Sequence, residues 1–249
     1  MVIPEAAVKI RLNHQIVAMI ICRPDNPEEA CIGFLLNHHT IKSMDEIKSI
    51  QVHPRAKIVS IQARLEKEKI DELVQNLSSG GHLTLIHPPV SRTTGDALCN
   101  LCAHPPEEEN KTYRVLTRMA NLFQETCEVK GIFGAYHVAA FVDASGKITC
   151  QGADVGMDIT VDRVLGKAFL SHHPLQNCTL LISDRLRVNT VIKCANLGIR
   201  SIMTLSVVTH MALETALNYD IDIIHAKKDG SLTIYSRSTA ESTEAEACE

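Results

Sequence analysis

The stretch ALCNLCAH (97–104) sets Cys99 and Cys102 three positions apart, and a thiol pair at that spacing supports more than one kind of chemistry. It is half of a structural zinc site, but the sequence has no second pair of similar spacing to complete it; His104 and Cys127 are the donors that folding would have to recruit. It is also the spacing of a dithiol redox centre. Such a centre opens a helix directly after a strand, where the helix N-terminus lowers the thiol pKa. This pair lies instead in a stretch rich in Pro, Thr, Asn and Glu. A thiol on a mobile polar loop suits a third chemistry, in which it collects a sulfur atom from one protein and delivers it at a second site. Two incidental loop cysteines are the bland alternative, since reactive cysteines are a minority.

Other residues compete for a role. A zinc deaminase needs His-x-Glu followed by Pro-Cys-x-x-Cys; no His-x-Glu occurs here, which excludes that reaction. The doublets His38-His39 and His172-His173 suggest metal ligands, but adjacent side chains diverge on a helix or strand, so they read as solvated or capping residues. His137 starts a strand after a glycine-containing turn and reads as a core or rim histidine unless a ligand reaches it. Asp154 and Gly156 sit in a strand-to-helix turn, the usual setting for backbone amides that receive an anion and equally for an ordinary cap. Ser183-Asp184-Arg185 ends a buried strand, Lys193 lies two turns along the next helix, and Ser206 ends the next strand. Ligands of open α/β sheets bind at such strand ends. Arg185 and Lys193 are therefore candidate phosphate contacts, or else solvated helix charges.

Apolar periodicity predicts the elements that must position these groups. VKIRLNHQIVAMIIC (8–22) reads as a hairpin turning at Asn13-His14, followed by a helix capped by Asp25 or Asn26 with Pro27 at its first position. Strands are predicted at 48–53 and 56–63, a helix in EKEKIDELVQNL and a strand in HLTLIH. From Pro88 to Lys111 no apolar period exists, and loops of that length are usually functional or disordered. TYRVLTRMANLFQETC is a helix, and HVAAFVDASGKITCQ is a hairpin turning at Ser145-Gly146. Thereafter helices and strands alternate to a final hairpin turning at Asp229-Gly230, a pattern that indicates a three-layer α/β sheet. No internal repeat is evident.

Composition narrows the function classes. With 45% hydrophobic and 22% charged residues among 249, the chain reads as an ordinary globular protein. Its net charge of −4 provides no basic field for nucleic acid, and aromatics at 4% with no Trp argue against a stacking platform. No apolar run reaches the roughly 18–20 residues of a membrane span, and the N-terminal residues lack the basic-then-apolar order of a signal peptide. Most of the nine cysteines, among them Cys22, Cys31, Cys150, Cys178 and Cys194, lie in apolar runs, as buried reduced thiols of a cytoplasmic protein do.

Seven segments in order resemble the formate dehydrogenase accessory sulfurtransferase family, FdhD. They are RPDNPEEACIGFLLNHHTI, CNLC, GAYHVAAFVDASGKI, ADVGMDITVDRVLGKA, LLISDRLRVNTVIKCANLGI, LSVVTHMALETA and GSLTIY, which together span about residues 5–236. The resemblance implies a cytidine-deaminase-like three-layer α/β/α domain without the zinc site, at 112–236. The residue pattern itself sets off a smaller N-terminal α+β portion at 1–87 and a mobile loop without apolar period at 88–111, and the acidic, Ser/Thr-rich residues 237–249 read as a disordered tail. The resemblance further implies a cytoplasmic, homodimeric sulfurtransferase with no metal of its own, which takes sulfur from a cysteine desulfurase. The sulfur then passes to the molybdenum bis-guanylyl-pterin cofactor of formate dehydrogenase. On that resemblance Cys99 carries the persulfide with Cys102 as partner, and the cofactor meets Ala226, Lys227, Lys228, Asp229, Gly230 and Ser231. Ser183, Arg185, Lys193, Ser206, His137, Asp154 and Gly156 complete the candidate cofactor set.

The chain departs from the family pattern at places that matter. The glycines that flank the family's cysteines are replaced by Leu98, Asn100 and Ala103; Met157-Asp158 stand where a basic pair is usual, and Ser231 where an arginine is. Lost arginines weaken phosphate binding, because bidentate charged contacts are stronger than neutral ones. The second reading is therefore a non-catalytic nucleotide or pterin-cofactor chaperone, and a third is a dithiol oxidoreductase cycling Cys99 and Cys102.

Overall fold

The structure is a computed structural model that describes residues 2–79, 111–130, 134–175, 177–227 and 229–235. The predicted HLTLIH strand, most of the 88–111 loop with Cys99 and Cys102, Lys228 and the 237–249 tail lie outside the described residues. The chain folds as two compact units, one of residues 1–84, 133–137 and 152–174, the other of 85–132, 138–151 and 175–249.

The first unit is built on a four-stranded mixed sheet in the order β2-β1-β4-β3. In β1 (Ala6–Leu12), Ala6, Val8, Ile10 and Leu12 are buried, the alternation of a sheet with one covered face. The turn at Asn13 has φ 54°, a left-handed conformation that asparagine tolerates, and leads into β2 (Gln15–Cys22). β3 (Ile47–His53) and β4 (Ile58–Ala63) form a second hairpin, and β4 runs parallel to β1. Helix α1 (Pro27–Asn37) begins at Asn26 with Pro27 in its first turn, as predicted, and α2 (Lys67–Ser78) buries Ile70 and Leu73.

The N-terminal portion does not close on itself, as a division at residue 87 would require. Its core takes in α4 (Met157–Leu170), which the sequence pattern groups with the later domain. The reason is visible in two glycines. A Cβ on Gly33 would overlap the carbonyl oxygen of Asp162, and one on Gly166 that of Glu29, so α1 and α4 pack backbone to backbone. Asn37 Nδ2 donates to Asp162 Oδ1 across the same contact.

The second unit holds α3 (Lys111–Lys130) and a six-stranded mixed sheet in the order β10-β9-β8-β7-β5-β6. β5 (His137–Val142) and β6 (Ile148–Asp154) form the predicted hairpin, and β5 pairs antiparallel with β7 (Thr179–Ile182). β7, β8 (Ser201–Thr204) and β9 (Asp222–Ala226) are parallel, and β10 (Leu232–Tyr235) returns antiparallel along β9. Helices α5 (Val188–Asn196) and α6 (His210–Asn218) make the two crossovers. The pairing of Thr179 with Ser201 continues in a bridge between Leu186 and Val208, a constant 22-residue offset. This strand–loop–helix repeat is hidden in the sequence because the two copies share shape but few residues.

Candidate functional site

Three loops leave the carboxyl ends of β7, β8 and β9, where open α/β sheets bind ligands. The first two are tied together by the buried Thr204. Its hydroxyl lies 2.7 Å from the Asp184 carbonyl oxygen and 3.2 Å from that of Ser206, and accepts from the Ser206 amide at 3.1 Å. Ser183 continues the sheet past its last strand residue: its amide donates to the Val138 carbonyl at 3.0 Å and its Oγ accepts from the Val138 amide at 2.9 Å. The third loop is the β9–β10 turn. Lys227 and Ser231 bond across it, the Ser231 amide and hydroxyl both donate to Asp229 Oδ1, and Gly230 takes φ 86°. Asp229 is thus a turn-holding carboxylate, and the Ser231 hydrogen bonds lower its pKa.

Within this unit lies a cavity of about 250 Å³. The hairpin contributes Ala226, Lys227, Gly230 and Leu232, and the loop after β8 contributes Leu205. The rest of the wall comes from α3, through Thr117, Ala120, Asn121 and Gln124. Three of the six residues expected in the hairpin, Ala226, Lys227 and Gly230, therefore meet at one cavity. Ser183, Arg185, Lys193 and Ser206 do not line it; Arg185 is exposed, while Lys193 is only 4% exposed on α5. Lys193 is corrected in one respect: it is packed into the fold rather than a solvated helix charge. The α3 residues were missed, although their spacing of four and then three places them on one helix face, a polar stripe legible in the sequence.

Asp154 needs a second correction. It is fully buried in the first unit, and both carboxylate oxygens are taken. Oδ1 accepts from the amides of Arg23 at 2.9 Å and Val155 at 2.8 Å, while Oδ2 meets the Arg163 guanidinium at 2.7 Å. Arg163, 3% exposed, also donates to the carbonyls of Arg23, Asp25 and Asn26 and reaches Glu29 at 3.4 Å. Burial opposes its charge, but the Asp154 carboxylate, bonded to it, outweighs that and raises its pKa. The Asp154 carboxylate clamps the start of α1 instead of facing a ligand, and Gly156 serves as the N-cap residue of α4, with no side-chain cap hydrogen bond. His137 is the partly buried first residue of β5.

The cysteines divide the same way. Cys22, Cys31, Cys150, Cys178 and Cys194 are buried and form no disulfide. Burial first, then the Asp154 carboxylate, pushes the Cys22 thiol up to about 11, and burial likewise raises Cys31, Cys178 and Cys194. Thiols held protonated in this way are inert. The histidine doublets fall at helix ends, where capping residues belong: His38 caps α1 and stacks near Phe34 at 4.4 Å, and His172 follows the C-cap of α4. Among the described residues no group of three or more His, Cys, Asp or Glu side chains is arranged to hold a metal ion, and no helix is long and apolar enough to cross a membrane.

Residues 3–241 match the model of the FdhD/NarQ family. The chain is 24% identical over 244 residues to the sulfur carrier protein FdhD of Wolinella succinogenes, covering 95% of this chain and 81% of that protein. It is 27% identical over 227 residues to the protein of the same name from Sulfurisphaera tokodaii, covering 89% and 82%. The fold is similar to the crystal structure of a protein assigned as a formate dehydrogenase accessory protein from Desulfotalea psychrophila. The TM-score is 0.67 at 19% identity, over 94% of this chain and 86% of that one.

Proposed function

The chain belongs to the FdhD/NarQ family, and from that premise we propose that it is a cytoplasmic sulfur carrier for formate dehydrogenase maturation. The observation that supports this most is the extent of the family match, which runs from residue 3 to 241 and so spans Cys99 and Cys102. The raised pKa of Cys22, Cys31, Cys178 and Cys194 adds to it, since a buried thiol held protonated is a poor nucleophile for transfer. The second unit is read as a deaminase-like three-layer sheet without zinc, and the protein as a homodimer.

In loading, the Cys99 thiolate attacks the outer sulfur of a cysteine desulfurase persulfide. The bond between that sulfur and the desulfurase cysteine breaks, the desulfurase thiolate leaves, and Cys99 becomes the persulfide. In delivery, the Cys102 thiolate attacks Cys99 Sγ, the outer sulfur departs as hydrosulfide toward the substrate cofactor, and a disulfide remains. A dithiol reductant restores both thiols. Glu107, Glu108 and Glu109 lie closer in sequence to Cys102 than to Cys99, and nearby acidic charge disfavours a thiolate, which leaves Cys99 as the better nucleophile. The hairpin at Ala226–Ser231 receives the molybdenum bis-guanylyl-pterin cargo, with Lys227 as its phosphate contact.

Mass spectrometry after incubation with a cysteine desulfurase and cysteine tests this. Cys99 gains one sulfur; Cys99→Ala abolishes loading, and Cys102→Ala loads but matures little client enzyme. Loading that survives Cys99→Ala and vanishes in Cys102→Ala reverses the roles. Full client maturation by both single variants replaces the carrier with a non-catalytic cofactor chaperone.

A further inference from the structure

One local arrangement occurs twice in the chain, at a constant spacing of 133 residues. Asn13 and Gly146 each take a left-handed turn, at φ 54° and 83°, and a strand begins two residues later, β2 at Gln15 and β6 at Ile148. Among the described strands each is the edge of its sheet. Val17 and Cys150 are buried at the same place in the strand, as are Ile20 and Ala153. Each strand leads into a helix, and the two helices end alike. In α1 the amides of His38, His39 and Thr40 donate to the carbonyls of Phe34, Leu36 and Leu35. In α4 those of Ser171, His172 and His173 donate to the carbonyls of Lys167, Phe169 and Ala168. His39 and His172 close the two helices at φ 54° and 51°, the left-handed position that glycine usually fills. Every residue in the first set has its counterpart 133 positions on.

The two copies also meet, and they meet reciprocally. Gly33 lies against the Asp162 carbonyl and Gly166 against the Glu29 carbonyl, within the first unit. Both glycines and both acidic residues are again 133 apart, and each acidic residue stands about one helical turn before the glycine of its own helix. A contact in which i touches j, while the counterpart of j touches the counterpart of i, is isologous: it has the two-fold symmetry of a homodimer interface. Unrelated helices that merely pack have no cause to meet in this way. The residues hide the relation, because between 13–40 and 146–173 the identical pairs are Asp25–Asp158, Gly33–Gly166 and His39–His172. The charged clamp belongs to one copy alone: Ile21 and Ala30 stand where the other has Asp154 and Arg163.

We infer that residues 13–40 and 146–173 are two copies of one strand–helix module, and that the α1–α4 joint is a two-fold interface closed within a single chain. The face that α1 turns to α4 therefore fits a second copy of its own module, and the joint acts as one element with two equivalent halves. The inference is independent of the sulfur-carrier reading.

A crystal structure of the full chain tests it directly. Residues 27–40 superpose on 160–173 better at the 133-residue spacing than at any neighbouring one, and the rotation that carries α1 onto α4 is close to a half-turn. A better fit at another spacing, or a rotation far from a half-turn, overturns the inference. Thermal melts of the full chain read the same symmetry. Gly33→Ala and Gly166→Ala each lower the melting temperature by about 3–10 °C, and by equal amounts, because each methyl meets the counterpart of the carbonyl that the other meets. The double variant loses clearly less than the two single losses together, because one separation of the helices relieves both overlaps. Single losses that differ more than twofold, or that add in full, overturn the two-fold joint.

Discussion

The Asp154–Arg163 clamp and the α3 cavity both gather polar side chains at the end of a strand, yet they are opposites. At the clamp every acceptor of Asp154 is filled by protein donors, and the residue has no exposed surface. At the cavity the carboxamides of Asn121 and Gln124 are exposed, and the Thr117 hydroxyl is buried without a partner among the described residues. Charge density alone would have chosen the clamp as the functional site. Satisfaction separates them: a closed network spends its hydrogen bonds on the fold, and an open one keeps them for a ligand.

The contrast breaks first at Asp154. Asp154→Ala leaves the Arg163 guanidinium buried without its carboxylate, and removing one partner of such a pair costs about 3–5 kcal/mol. Urea denaturation is expected to show that loss, and Asp154→Leu combined with Arg163→Met to lose less than the single variant. A loss below about 1 kcal/mol for Asp154→Ala would make the clamp an ornament and put Asp154 back among ligand candidates.

Glycines probe the same difference at a smaller scale. Gly166→Ala drives a methyl into the Glu29 carbonyl, so α1 and α4 must move apart, at about 1–3 kcal/mol for an overpacked contact. Gly230→Ala meets open space; its cost is the left-handed φ of 86°, about 1–2 kcal/mol. The first variant is expected to lose stability and keep its affinity for GDP, a probe of the guanylyl end of the cargo. The second is expected to weaken GDP, because the Lys227 turn shifts. Thermal melts paired with titrations separate the two, and a Gly166→Ala variant as stable as the parent would show that the helices are not in backbone contact.

Much of this was legible in the residues, and the exceptions have physical causes. The hairpins at Asn13 and Gly146, the Pro27 helix start and the alternation after Thr179 follow from local periodicity and turn chemistry. The clamp was hidden because Arg163 lies inside an amphipathic helix and meets carbonyls more than 130 residues away in sequence. Lys193 looked exposed because lysine usually is. The placement of β5 between β7 and β6, and the recruitment of α4 by the first unit, are long-range choices that no local pattern carries. The α3 stripe has the right spacing for one helix face, but nothing local distinguishes a ligand-facing polar stripe from a solvated one. Only the hairpin and the β8 loop, brought opposite it by the fold, make that distinction.

The smallest effect concerns His225 on β9, whose pKa is lowered by burial first and then by the Lys227 ammonium. A lowered imidazole pKa means that the folded protein binds fewer protons than the unfolded chain in the window just below pH 6.5. Stability therefore falls as pH drops from 6.5 through the folded value, and is fully present above it. The slope is shallow, because His225 is only partly buried and solvent screens its neighbour. In Lys227→Ala the like charge is gone, so the His225 resonance in an NMR titration moves to a higher pKa and the acid-side loss of stability shrinks. In His225→Gln that loss disappears altogether. Asp154→Asn offers the control from the closed region: it lowers stability and leaves the His225 midpoint where it was. A His225 midpoint unmoved by Lys227→Ala would place the ammonium away from the strand. The cavity would then lose the cation on which its phosphate contact depends.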